Sequence, residues 1–248
     1  MFYPNLSKAM KFIRIILLFF VAQFIVISCS EDNLPIDPIP QEQEQAQYFK
    51  YTIGEGPFVY FEDLIFKELV LNNFEINTNK DNEISFQEAN AFKGTIDVSF
   101  KGIQSLTGIE KFVDIVGLNC ANNKLSTLDV SGNLNLEFLG CGNNPFTKID
   151  LSYNVKLKNL DIRTTKLTHL DLSDNTNLVS IRAMCNYSLK TVDVANNNND
   201  KILIFFFGLQ NSALECVQVD NVAYSNTATN WRIPETAIYS LSCFDSVL

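Results

Sequence analysis

The chain predicts a solenoid of the α/β type dominated by short parallel β-strands, with a helical cap before it and a second cap after it. Two observations carry this. The tetrads Leu128-Asp-Val-Ser131, Ile149-Asp-Leu-Ser152, Leu170-Asp-Leu-Ser173 and Val192-Asp-Val-Ala195 recur at spacings of 21, 21 and 22 residues. Between them Leu118-Asn-Cys120, Leu139-Gly-Cys141, Leu160-Asp-Ile162 and Ile181-Arg-Ala183 recur at 21. A repeat this short cannot bury its apolar face alone, so coils must stack to share one core. A third observation limits the chemistry. The 248 residues are 46% apolar with a formal charge of −9 and one histidine. That supports a core, disfavours a nucleic-acid partner, and leaves little for zinc or Ser-His-Asp catalysis.

Residues 1–28 read as an address. Lys8, Lys11 and Arg14 precede the apolar run Ile15–Ile27, shorter than the roughly 20 residues a membrane span needs. Its end, Val26-Ile-Ser-Cys29, resembles the lipobox of a bacterial lipoprotein signal peptide. The resemblance implies cleavage before Cys29 and a lipid anchor on that cysteine. Ser30-Glu-Asp-Asn33 resembles the acidic tag of outward-facing Bacteroidota lipoproteins, which implies an outer-membrane location facing the exterior. Residues 29–49, with Pro and Gln and few apolar positions, read as a spacer.

Residues 50–95 read as the N-terminal cap. The spacing of Phe58, Phe61, Leu64, Ile65 and Leu69 predicts an amphipathic helix. The segment Asn77-Thr-Asn-Lys-Asp-Asn-Glu-Ile-Ser-Phe-Gln-Glu88 then places oxygen-bearing residues at EF-hand offsets. Asn77, Asn79, Asp81, Glu83, Ser85 and Glu88 are the candidate Ca²⁺ ligands. Asn77 replaces the usual Asp at the first position, and Asn82 replaces the usual Gly at the sixth, where a left-handed backbone is wanted. The alternative is a vestigial loop that caps the solenoid through its own hydrogen bonds. No other cofactor is required.

Residues 96–210 are the array. Each Leu-x-Leu half gives a short strand with two side chains inward and one outward, so one coil supplies both walls of a flattened tube. Asn123, Asn133, Asn144, Asn154, Asn175, Asn186 and Asn197 follow the strands and can satisfy backbone groups inside the bends. This pattern resembles the leucine-rich-repeat family in its 21-residue bacterial form. Thr165 departs from the asparagine column and predicts a looser turn. Ile202-Leu-Ile-Phe-Phe-Phe-Gly208 turns aromatic and reads as an end seal, with an exposed apolar binding patch as the alternative. Cys120 and Cys141 fall at inward positions of adjacent coils and read as buried thiols, with a disulfide between them as the alternative if the geometry allows.

Residues 211–248 resemble the C-terminal cap of flavobacterial members of the family, which implies a Cys216–Cys243 disulfide. One wall is monotonous, with Asp129, Asp150, Asp171 and Asp193 in a stripe about 4.8 Å apart; His169 lies on it as a surface residue. On the other wall repetition lapses, and Phe138, Asn159, Asp161, Arg163, Arg182 and Met184 form the candidate recognition surface for a protein or glycan partner. The expected function is therefore a non-enzymatic, membrane-tethered binding module. The alternative is a calcium-stabilised spacer in an envelope assembly.

Overall fold

The structure, a computed structural model, describes residues 57–208 and 210–243. The segments read from the sequence as a signal peptide and a spacer, and the expected lipidation site Cys29, lie outside them.

The cap helix is shorter than its apolar spacing predicts. Helix α1 spans Leu64–Leu71, because the Asp63 carboxylate accepts the N–H groups of Ile65 and Phe66 and so fixes the start. Phe58 instead forms an antiparallel bridge with Ser85, and Val59 and Phe61 are buried from an extended segment. Asp63 also accepts the N–H of Gln104 at 2.7 Å, which ties the cap to the first coil. Helix α2, Phe86–Ala91, starts with a capping box. Ser85 accepts the N–H of Glu88, whose carboxylate accepts the N–H of Ser85 in return.

The strands follow in chain order as β1 (Thr95–Asp97), β2 (Gly117–Asn119), β3 (Phe138–Gly140), β4 (Asn159–Asp161), β5 (His169–Asp171), β6 (Ser180–Arg182), β7 (Thr191–Asp193), β8 (Ile204–Phe206), β9 (Cys216–Gln218), β10 (Trp231–Arg232) and β11 (Ile238–Ser240). They make two parallel sheets. The first has seven strands in the order β1-β2-β3-β4-β6-β8-β10; the second has four, β11-β9-β7-β5. Two walls per coil are thus what the half-repeat builds. The coils at Asp129 and Asp150 contribute no strand to the second sheet, although nothing in their sequence sets them apart.

Inward residues stack in register. Leu118, Leu139, Leu160 and Ile181 pair at 21-residue intervals, and Ile181 then pairs with Phe205, 24 residues on. The extra length is taken up by a short 3₁₀ turn at Asn199–Lys201. Phe205 and Phe207 are fully buried, and Phe205 stacks on Trp231 with ring centroids 4.1 Å apart. The aromatic run fills the core but does not seal the array, because β9, β10 and β11 continue both ladders beyond it. A helix α3, Val222–Thr227, bridges β9 and β10.

The asparagines form two columns. After the seven-stranded wall, Asn144 donates from its amide to the carbonyls of Cys120 and Cys141, both at 3.0 Å. After the other wall, Asn154 donates to Val130 and Asn133, also at 3.0 Å. The bonds to Cys120, Val130 and Asn133 tie one coil to its neighbour, the bond to Cys141 closes the bend within its own coil, and each satisfies a carbonyl that the bend would otherwise strand. One position differs from expectation. Asn196 continues the second column, donating to Leu172 and Asn175, whereas Asn197 is exposed with φ 57°. The bend there is one residue shorter than its predecessors. Cys216 and Cys243 are bonded, with Cα atoms 5.8 Å apart.

Candidate functional site: the outward face of the seven-stranded wall

On a parallel sheet held in register, equivalent side chains line up in rows across the strands. The central outward row of the larger wall reads Asp97, Asn119, Gly140, Asp161, Arg182, Phe206, Arg232. Phe138 and Asn159 flank it on one side, Arg163 and Met184 on the other. The six residues singled out from the sequence therefore share one face. They fall on three adjacent strands or on the residues just after them.

Their electrostatic roles differ from expectation. Arg163 is not a free anchor, because its guanidinium grips Asp161 with two hydrogen bonds of 2.8 and 2.7 Å. That carboxylate holds the guanidinium above its ordinary pKa, against the opposing effect of burial. Asn119 likewise donates to Asp97 at 3.1 Å. Arg182 stands exposed beside them with no ion-pair partner among the described residues. A depression of about 260 Å³ opens between Phe100, Asn119, Phe138, Asp161 and Arg163. Gly142 forms part of its floor, and a Cβ there would lie 2.7 Å from the carbonyl oxygen of Arg163. Only glycine lets the two coils approach so closely.

Of the further residues on this face, Arg232 escaped the sequence reading, while Ile204 and Phe206 lie in the run whose alternative reading is an apolar binding patch. Ile204, Phe206 and Arg232 point outward in the same rows. The signal was present: within the aromatic run, Phe205 and Phe207 are buried, so strand alternation turns Ile204 and Phe206 out.

The monotonous wall closes on itself. In Asp129, Asp150 and Asp171 one carboxylate oxygen accepts both the N–H and the hydroxyl of the serine two residues on, the hydroxyl at 2.7 Å each time. These bonds hold the Asp150 carboxyl below its usual range. Asp193 lacks that hydroxyl because Ala195 stands there, and it takes a hydrogen bond from Gln218 at 2.7 Å instead. Burial, then the charges of Asp171 and Asp220, push its carboxyl upward. His169 is exposed and its Nδ1 lies 2.7 Å from the hydroxyl of Thr191.

The 77–88 loop fits a calcium ion only in part. The side-chain Oδ1 of Asn77 is buried without a hydrogen-bond partner, and Asp81 contributes a carboxylate. Glu88, however, is occupied: one oxygen accepts the N–H and hydroxyl of Thr78 and the N–H of Asn79, and the other accepts the N–H and hydroxyl of Ser85. Asn79 and Asp81 bond one another, and Glu83 points to Lys67 at 2.7 Å. The left-handed residue is Lys80, φ 60°, and Asn82 is not left-handed. Among the described residues no group of three or more His, Cys, Asp or Glu side chains is placed to hold a metal ion. Cys120 and Cys141 are buried thiols, and burial pushes Cys120 up to about 12.

Residues 79–197 match the family described as the Endo-beta-N-acetylglucosaminidase EndoS LRR domain. No curated protein matches the chain. Among solved structures, it is similar to the functional domain of InlJ from Listeria monocytogenes, at 22% identity and TM-score 0.38 over 73% of this chain and 48% of that one. It is also similar to the internalins InlF, at 14% identity and TM-score 0.41, and InlC2, at 13% and 0.48. Each of these covers 73% of this chain, and 71% and 87% of the respective internalin. The chain thus spans about half the length of the InlJ domain. With the 21-residue register, the two parallel walls and the asparagine columns already in place, residues 79–197 are a leucine-rich-repeat domain.

Proposed function

We propose that the chain is a recognition module, tethered to the outer membrane through a lipid on Cys29 and facing the exterior, that binds a protein partner with the outward face of its seven-stranded wall. The observation that carries this reading is the contrast between the walls. The monotonous wall spends its carboxylates on its own serines, whereas the larger wall presents Phe138, Phe206 and an unpaired Arg182. Aromatic and arginine side chains on a rigid support are the usual anchors of protein interfaces. A solenoid wall is long and shallow, which suits broad contact better than catalysis. The matched family is named for the repeat domain of a glycosidase, which is in keeping with a non-catalytic role.

Photo-crosslinking in intact cells tests it, with the reactive side chain at position 138 or 206 and a control at position 150. Discrete protein adducts at 138 and 206 but not at 150 are expected. Adducts at none of the three would favour the spacer, and a glycan adduct the other ligand class. Labelling with an alkyne fatty acid tests the tether, and Cys29→Ala must abolish it.

A further inference from the structure

The two halves of the central row treat charge differently. In the first half every charged side chain is answered locally, Asp97 by Asn119 and Asp161 by Arg163. In the second half Phe206 pairs in register with Arg182 on one side and Arg232 on the other. Both arginines are exposed, and neither faces a carboxylate within ion-pair distance among the described residues. Arg232 spends one nitrogen on the carbonyls of Thr229 and Trp231, which fixes the guanidinium and leaves its other donors open. Beside Phe206, Leu203 is 65% and Ile204 37% exposed, so an apolar rim adjoins the cations.

We infer that this end of the wall takes an acidic protein segment whose carboxylates engage Arg182 and Arg232 while an apolar side chain packs on Phe206 and Ile204. The inference rests on the recognition reading above and specifies the partner's chemistry. Two strand spacings separate the arginines, roughly 9.5 Å, so the matching carboxylates lie about three residues apart on an extended chain or nearly two turns apart on a helix. Guanidinium groups pair bidentately with carboxylates. In a chain of net charge −9 an isolated cationic pair also orients the partner, because an acidic segment is repelled by the rest of the surface.

The test uses the full chain in detergent with a short labelled peptide carrying Glu three residues apart with Leu between them, read by fluorescence anisotropy. A peptide with Gln in place of Glu is the comparison. The Glu peptide is expected to bind roughly tenfold more tightly at low salt, to lose that advantage as salt rises, and to lose it in the R182E/R232E double variant. Lys148→Glu, a charge reversal on the opposite wall, leaves binding unchanged. Equal affinity for the Glu and Gln peptides, or indifference to the double reversal, overturns the inference. Adducts at position 206 in cells would then leave wall recognition standing with a partner of different chemistry.

Discussion

A single amide oxygen of Asn186 accepts both hydrogens that Thr165 offers, the backbone N–H at 2.6 Å and the hydroxyl at 2.8 Å. The Asn186 nitrogen donates to the carbonyls of Ile162 and Ala183 at 3.0 and 2.9 Å. The departure at Thr165 therefore does not loosen its turn, because the next coil's asparagine covers for it. Asn186→Ala strands several buried groups and is expected to cost about 3 kcal/mol or more, while Thr165→Ala costs about 1 kcal/mol. Urea unfolding measures both. Equal costs would refute this division of labour.

Glu88 links the cap to pH. Burial pushes its carboxyl up, but the donors of Ser85, Asn79 and Thr78 outweigh this and hold it below its ordinary 4.5. With the folded value depressed, the contribution is full above the unfolded value and is lost as pH falls through the folded one. Glu88→Gln is expected to destabilise the domain by about 1–2 kcal/mol at neutral pH, the gap narrowing by about pH 3. Unfolding midpoints at the two pH values check this; a gap that widens in acid contradicts it.

The Cys216–Cys243 bond closes a loop of 27 residues across β9 and the end of the described chain. Constraining such a loop in the unfolded state is worth about 3 kcal/mol. Reduction, or replacement of both cysteines by serine, should lower the urea midpoint accordingly. Because Cys120 and Cys141 are buried and held protonated, alkylation of the native protein should leave both unmodified.

Calcium binding by the 77–88 loop requires Glu88 to exchange five hydrogen bonds for metal coordination. Extracellular modules with weak sites bind at roughly 10⁻⁴–10⁻³ M. A site of that strength would be at least half filled by calcium at about 1 mM, but with Glu88 held by its own donors that concentration is expected to leave the thermal midpoint unchanged. A rise of several degrees that Glu88→Gln abolishes would show that the loop rearranges around the ion.

How much was legible follows from what repetition encodes. Leu118, Leu139 and Leu160 recur because each must fill the same place in the core, so register and both walls could be read from spacing alone. The start of α1 could not, since the apolar positions from Phe58 to Leu69 fit a helix throughout and only the Asp63 cap decides where it begins. The second asparagine column slipped from 197 to 196 because a one-residue shortening leaves two adjacent asparagines equally eligible. On the functional face, the residue types of Arg163 and Arg182 were visible but their fates were not. Pairing with Asp161 depends on side-chain direction, which no repeat specifies.

The Cys216–Cys243 bond has a mechanical consequence. In a stack where each coil grips only its neighbours, a load applied across the two ends peels coils singly, beginning at whichever end yields first. Here Cys216 leads into β9, and Cys243 follows β11, the strand paired with it. The outermost coil cannot be drawn away from the one beneath it while that bond is intact. Force must then enter through the cap at the opposite end, where Asp63 and apolar packing, but no disulfide among the described residues, hold the first coil, so the molecule is a zipper that opens from one side.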